Sequence, residues 1–190
     1  LVEGLYEALC RCREPLDAIA ARCPAPVVLC GDNIDGQLVS PPLFRRYFMP
    51  VYERQARVLH AHGKLMAVHM DGRVGVLKEL IAATDIDIVE ALHPPPMGDV
   101  SLGEALEAWP NKAIWVGFPG AIYALGPEAT RAYTLELLKE SSDGRRLVIA
   151  MSTEELVSNE NLLAVTSVLE RATLPLTLDR LAEIARVVTG

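Results

Sequence analysis

The chain has 190 residues, enough for one domain with a hydrophobic core, and its composition (51% hydrophobic, 23% charged) is typical of a globular protein. A net charge of −7 and the lack of a basic stripe argue against a nucleic-acid-binding surface. No apolar run approaches the roughly 20 residues of a membrane span, and no signal segment is visible. The four cysteines, all within the first 30 residues, lack zinc-ribbon spacing, which favours reduced, mostly buried thiols of a cytoplasmic protein.

Strands and helices alternate along the sequence. Apolar spacing predicts a helix over 1–21, with Pro15 as a break or kink. A strand over 26–30 and a helix over 42–61 follow, and Gly63 ends that helix. Four more units are predicted: strand 65–68 with helix 74–83, strand 87–91 with helix 101–109, strand 113–117 with helix 127–140, and strand 146–150 with helix 161–171, before a last helix over 178–188.

The five strands are continuous apolar runs rather than alternating ones. Both faces of such strands are expected to be buried, and the sheet is expected to be parallel. We therefore predict a single α/β domain over 1–190, either an open doubly wound sheet or a (β/α)₈ barrel. No glycine-rich phosphate fingerprint follows the first strand, which disfavours dinucleotide binding.

Polar residues cluster where the strands end. His69 and Asp71 lie two residues apart at a strand end, so their side chains share one face and form a candidate metal-binding pair. The alternative is structural: His69 closes the strand and Asp71 caps the next helix. Glu90 closes the following strand and either faces the same rim or pairs with a neighbour. Asp32 and Asn33 follow the first strand, as catalytic residues or as ordinary turn residues.

Further candidates lie in later loops. His93, in the loop before three consecutive prolines, Phe118, which follows the fourth strand, and Glu154, which follows the fifth, are assigned to substrate binding. A surface role is the alternative for His93. Asp99 is expected to cap the helix near 101. His60 and His62, at a helix C-terminus, are expected to be structural.

Short motifs in this order resemble the uroporphyrinogen decarboxylase superfamily, which includes the decarboxylase and the corrinoid-dependent methyltransferases. The resemblance spans roughly residues 27–171, and every member is a (β/α)₈ barrel. The motifs are Gly31-Asp32-Asn33, Ser40-Pro41-Pro42-Leu43-Phe44, Phe48-Met49-Pro50, His69-Met70-Asp71-Gly72 against the superfamily's His-x-Cys-Gly, and Glu160-Asn161-Leu162.

The resemblance implies that the chain is the last five units of an eight-unit TIM-type barrel. About three β/α units would precede Leu1, and the first strand, over 27–30, would expose an edge. We expect that edge to be covered by the N-terminal helix, by another subunit in a homo-oligomer, or by the missing part of the barrel.

The sequence departs from the methyltransferase pattern at the metal ligands. The superfamily's zinc is held by His-x-Cys and a later Cys, whereas here Asp71 replaces the first Cys and residues 150–154 contain none. An oxygen-rich set of His69, Asp71 and Glu90, with Glu154 as a further candidate, would still suit Zn²⁺ but is less suited to thiol transfer. Barrel-type methionine synthases, related in chemistry, also carry a zinc-binding Glu some way after their His-x-Cys pair.

The leading interpretation is an enzyme that transfers a methyl group between a small substrate and a corrinoid protein, with a metal as Lewis acid. Glu90, Asp32 and Asn33 are the catalytic candidates in this interpretation. A metal-free decarboxylase-like enzyme is the first alternative. A non-catalytic protein that binds a tetrapyrrole or corrinoid is the second, and internal salt bridges of the His-Asp pair would distinguish it.

Overall fold

The computed structural model of the chain describes residues 1–151 and 157–189. Within these ranges five strands alternate with helices in an all-parallel sheet, whose strand order follows the sequence. The α/β prediction is therefore confirmed, and the arrangement is consistent with part of a TIM-type barrel. The strands are β1 Val27–Cys30, β2 Leu65–His69, β3 Ile88–Leu92, β4 Ala113–Gly117 and β5 Leu147–Ala150.

Helical segments connect the strands. The described helices are α1 Val2–Arg22, α2 Pro41–Leu43, α3 Met49–His60, α4 Lys78–Ala82, α5 Leu102–Ala108, α6 Gly120–Tyr123, α7 Pro127–Glu140, α8 Asn159–Leu169 and α9 Leu178–Thr189. A π-helical turn, Phe44–Phe48, joins α2 to α3, and a 3₁₀ turn, Gly75–Leu77, precedes α4. The contacts divide the chain into two compact units, Leu1–Glu90 and Ala91–Gly190.

The predicted break at Pro15 is wrong, because α1 runs through this residue without interruption. A proline cannot donate to the carbonyl four residues earlier, which here belongs to Arg11. Both residues are exposed, so water can bond the freed carbonyl and the helix continues. The expected helix over 42–61 does form, but with the π-helical turn inserted near its start.

The first unit is built on the register of β1, β2 and β3. Its core lies between the strands and α3, where Tyr52, Ala56 and Leu59 are buried. Helix α1 packs against α3, and the Tyr6 hydroxyl donates to the Tyr47 carbonyl oxygen at 3.0 Å. Residues of α1 also line a cavity together with Val28, Leu29 and Cys30 of β1.

The second unit has a separate apolar core under α7, α8 and α9. This core comprises Leu135, Leu138, Val168, Leu176, Leu181 and Ile184. The motif residue Asn161 is 5% exposed, donates to the Tyr123 carbonyl oxygen at 2.9 Å and accepts from the Thr130 hydroxyl. Asn161 therefore connects α8 to its neighbours.

The N-terminus of α5 is capped by Ser101 and Glu104 through two reciprocal hydrogen bonds between side chain and backbone, so the expected cap by Asp99 is wrong.

Burial of the strands on both faces was predicted and holds only in part. In the first unit Leu29 of β1 is 53% exposed and Leu65 of β2 is 46% exposed; in the second unit Val148 of β5 is 44% exposed. Helices cover one face of these strands, whereas the described residues leave the opposite face of the outer strands open. A closed barrel would bury such side chains in its interior.

Helix α1 carries an apolar stripe that no described residue covers. The stripe consists of Val2, Leu5, Leu9, Leu16 and Ile19, each at least 59% exposed. Its apolar positions recur three and four residues apart, as in a helix with a buried seam.

Two expectations about the class of protein can be compared with the structure. Among the described residues, no helix has both the length and the apolar character that a membrane span requires. All four cysteines are free, but only Cys30 is buried, so the expectation of mostly buried thiols fails.

Candidate functional site

The register of β2 and β3 places His69 directly beside Glu90 at the C-terminal ends of the two strands. His69 Nδ1 lies 2.5 Å from Glu90 Oε2, and His69 Nε2 lies 3.5 Å from Asp71 Oδ2. The imidazole ring therefore has one carboxylate on each side. In the neutral tautomer that donates from Nδ1 to Glu90, the lone pair of Nε2 faces Asp71.

The charges around His69 oppose the effect of its burial. Burial lowers the pKa of the imidazole, but the hydrogen bond and charge of Glu90, with a smaller contribution from Asp71, outweigh burial and raise it. The side chains of His69, Asp71 and Glu90 are 27%, 42% and 15% exposed. The Glu90 side of the ring is therefore enclosed, whereas the Asp71 side is open to a ligand.

Backbone hydrogen bonds hold the loops that carry these side chains. The Ile34 amide donates to the His69 carbonyl at 3.1 Å, and the Met70 amide donates to the Glu90 carbonyl at 2.8 Å. Gly72 lies against Asp35, whose Cβ would be only 2.3 Å from a Cβ at position 72. The glycine of the His-x-x-Gly motif is thus needed for the close approach of two loops at the strand ends.

Ala91 follows Glu90 with a φ of 60°, in the left-handed region. This conformation costs a non-glycine residue of the order of 1–2 kcal/mol, and such residues concentrate at functional sites. Ala91 directly follows Glu90, the residue that presents its carboxylate to His69, and lies within β3, which ends at Leu92.

The donors at this rim fit part of a divalent-metal site. Two ligands of one tetrahedral ion at about 2.1 Å lie roughly 3.4 Å apart, close to the 3.5 Å between His69 Nε2 and Asp71 Oδ2. Glu90 is hydrogen-bonded to the other ring nitrogen, Nδ1, and metal-binding histidines commonly make such a bond to a carboxylate with the nitrogen that does not bind the metal. The described residues nevertheless contain no group of three His, Cys, Asp or Glu placed to hold a metal. They supply two donors, and further ligands would have to be water, substrate or residues outside the described ranges.

Asp32 and Asn33 were predicted to border the same pocket as His69, and this stays a prediction. Asp32 Oδ1 lies 3.6 Å from Arg13 Nη1 of α1, and Asp32 lines a cavity whose walls do not include His69. Asn33 is exposed with a φ of 47°, which asparagine tolerates in turns. The turn interpretation therefore describes Asn33.

The three predicted substrate contacts have different surroundings. His93 is half-buried, its Nδ1 has no hydrogen-bond partner among the described residues, and its ring packs so closely on Gly117 that a Cβ there would lie 2.5 Å from Nε2. Phe118 is fully buried and stacks on Tyr123, with ring centroids 4.7 Å apart. It is a core residue, which is a correction to its assignment to substrate binding. Glu154 lies outside the described residues.

Sequence reasoning missed a polar cluster between α1 and α3 in the first unit. Arg13 bridges Asp17 and Asp32, and Tyr52 and Arg54 line the same cavity as Asp32. These residues come from helices and a loop that are far apart in sequence, and positions 52 and 54 lie about 200° apart around a helix. No spacing rule would have grouped them.

Comparison with known proteins supports the fold. No family model and no curated protein matches the sequence. Among solved structures, the chain is similar to a methyltransferase from Methanosarcina mazei, with a TM-score of 0.64 and 17% sequence identity. The match covers 80% of this chain and 45% of that one, so the chain spans less than half the length of its structural neighbour. At this identity the likeness concerns the fold alone.

Proposed function

We propose that this chain forms part of a TIM-type barrel enzyme of the uroporphyrinogen decarboxylase superfamily, which transfers a methyl group between a small substrate and a corrinoid-carrying partner protein. The likeness of its fold to a methyltransferase supports the proposal. So does the order of its motifs, from Gly31-Asp32-Asn33 to Glu160-Asn161-Leu162. Reduced cysteines in a protein of this class fit a cytoplasmic location.

The observation that carries the proposal is the orientation of His69 at the ends of two parallel strands. Glu90 holds Nδ1 at 2.5 Å, and Nε2 faces the more exposed Asp71. A Zn²⁺ ion would be held by His69 Nε2 and Asp71 Oδ2. When bound, zinc supplies a Lewis acid for the heteroatom that carries or accepts the methyl group. Glu90, which the sequence analysis included among the ligands, is proposed instead to orient the imidazole through its other nitrogen.

The function is tested by following demethylation of methylcobalamin by absorbance, with the full-length protein and a panel of small methyl acceptors. We expect turnover that needs zinc and that falls at least about 100-fold in His69→Ala, because the variant loses the imidazole that would hold the ion. His62→Ala is the matched control, since this exposed ring contacts only the backbone oxygen of its own helix at Val58 among the described residues. Equal turnover by wild type and His69→Ala would refute this role.

A metal-free decarboxylase-like enzyme is the alternative, and one observation favours it. Both nitrogens of His69 lie near carboxylates, as in a ring that positions or transfers a proton. The same contacts are the internal salt bridges expected of a non-catalytic tetrapyrrole- or corrinoid-binding protein. Activity that survives removal of all zinc would support the decarboxylase-like enzyme. Corrinoid or tetrapyrrole binding without turnover would support the non-catalytic protein.

We also propose that further β/α units complete the barrel against the first unit. The apolar stripe of α1 and the exposed Leu29 of β1 are the surfaces that such units would bury. The 45% coverage of the structural neighbour agrees with units beyond those described. A homo-oligomer that buries the same surface is the alternative, and light scattering of the full-length protein distinguishes the two: the proposal expects a monomer with the stripe protected from hydrogen exchange.

A further inference from the structure

A cavity of about 260 Å³ lies between α1 and α3 in the first unit, away from His69. Its walls are largely aromatic, with Tyr6 from α1 and Tyr47 and Phe48 from the π-helical turn. The hydroxyls of Tyr6 and Tyr47 are already bonded, to the Tyr47 carbonyl and to Glu3. These side chains therefore present ring surface, which suits the apolar body of a small ligand.

Tyr52 lines this cavity and is fully buried, yet its hydroxyl has no hydrogen-bond partner among the described residues. Burial, then the negative charge of Asp32, and then an interaction of its carboxylate with the hydroxyl outside ordinary hydrogen-bond geometry raise the pKa of this hydroxyl far above its ordinary value. The group consequently remains a protonated donor at any physiological pH. A buried hydroxyl without a partner is destabilising, and a ligand acceptor would remove that cost.

Arg54 lines the same cavity and is also without partners for two of its donor atoms. Its Nε and Nη2 are buried, and neither makes a hydrogen bond with the described residues. These two nitrogens form one edge of the guanidinium, the edge that binds both oxygens of a carboxylate in parallel hydrogen bonds. An unpaired guanidinium edge inside a cavity is therefore suited to such an anion.

The charge of the lining is consistent with a single negative charge on the ligand. Arg13 is paired with Asp32 at 3.6 Å, so Arg54 is the one cation of the lining that has no carboxylate partner among the residues that the structure describes. A monoanion would balance this charge, whereas a phosphate dianion would leave excess negative charge next to Asp32.

We propose that this cavity binds a small monocarboxylate with an apolar or aromatic body, held by the Nε–Nη2 edge of Arg54 and the hydroxyl of Tyr52. The carboxylate replaces the missing partners of both residues, and its body packs among the rings of Tyr6, Tyr47 and Phe48. The site uses none of the residues at the rim around His69. A result against the proposed methyl transfer would therefore not count against carboxylate binding in this cavity, and the reverse also holds.

The test is calorimetric titration of the full-length protein with benzoate, beside benzamide and inorganic phosphate. We expect benzoate to bind at least about tenfold more tightly than benzamide, which has the same shape without the charge, and more tightly than phosphate. Arg54→Gln should weaken benzoate binding about 10- to 100-fold, and Tyr52→Phe should weaken it about 2- to 10-fold. Arg57→Gln, an exposed arginine on the same helix, should leave it unchanged.

Thermal unfolding of each variant separates loss of binding from loss of folding. Tyr52→Phe should unfold at the same or a higher temperature than wild type without ligand, because it removes an unpartnered buried hydroxyl, yet it should be stabilised less by benzoate. Absence of benzoate binding by the wild type would overturn the proposal. So would equal binding of benzoate and benzamide, or benzoate binding that Arg54→Gln leaves intact in a folded protein.

Discussion

The strand pair β2–β3 carries a histidine–carboxylate pair at each end, and the two pairs differ in what surrounds them. At the N-terminal ends, His60 Nε2 lies 2.8 Å from Asp87 Oδ2, which also accepts from the Met66 amide at 2.7 Å. At the C-terminal ends, His69 contacts Glu90 through Nδ1 and faces Asp71 through Nε2. The single carboxylate at the first end, Asp87, is used in local structure, whereas His69 Nε2 and Asp71 remain available at the second.

The difference follows from the direction of parallel strands. The chain reaches the N-terminal end of each strand from the C-terminal end of a helix. Polar or basic side chains such as that of His60 in the last turn of α3 are favourable there, because they interact with the free carbonyl groups of the helix. The C-terminal ends of the strands open into loops, which is where barrel enzymes build their sites. The same residue types therefore serve stability at one end and are suited to ligand binding at the other.

The largest expected contrast is between Glu90→Gln and Asp87→Asn. Glu90→Gln weakens the hydrogen bond that orients His69 and should lower zinc affinity about 10- to 100-fold, measured by competition with a chelator. Asp87→Asn should leave zinc affinity unchanged and lower the free energy of unfolding by about 1–2 kcal/mol, because it weakens a charge-assisted bond to the Met66 amide. If both variants changed zinc affinity equally, the two ends would not differ as described.

The next contrast concerns the loops at the C-terminal ends. A Cβ at position 72 would meet the side chain of Asp35 at 2.3 Å, whereas nothing lies within 4 Å of one at position 31. Gly72→Ala should therefore lower the free energy of unfolding by about 1–3 kcal/mol, and Gly31→Ala should change it by less than about 0.5 kcal/mol. Chemical denaturation measures both. Equal effects would show that the close approach of the two loops is unimportant.

The smallest expected effect is at Ala91, which holds a φ of 60° directly after Glu90. Ala91→Gly relieves the steric cost of this conformation but adds entropy to the unfolded chain, so unfolding free energy should rise by no more than about 1 kcal/mol. In most strand positions the same change is destabilising. A loss of more than about 1 kcal/mol on denaturation would contradict the strain inferred at this strand end.

Much of the fold was predictable because local rules agreed with tertiary packing. The bounds of β4 and α7 match the prediction, since Pro127 starts α7 and apolar residues fill β4 without interruption. The helix predicted over 74–83 is shorter, because its first turn is the 3₁₀ segment Gly75–Leu77. Periodicity reports which face is buried, but it does not distinguish 3₁₀, π and α turns.

The candidate site was predictable only where strand ends define it. The pairing of His69 with Glu90 follows from two neighbouring parallel strands whose C-terminal parts lie side by side, which a sequence can indicate. The contact of Asp32 with Arg13 was not predictable, because no sequence pattern encodes the position of α1 relative to β1. The unpartnered donors of Tyr52 and Arg54 are visible only once the packing is known, because they are defined by the neighbours they lack.

The most direct test of the central claim is zinc titration of the chelator-treated full-length protein and of its His69→Ala and His60→Ala variants. We expect one site in the wild type, the same site in His60→Ala with a stability loss of about 1 kcal/mol, and no site in folded His69→Ala. No zinc binding by the wild type, or equal binding by wild type and His69→Ala, would contradict the assignment of the metal to the C-terminal end of β2.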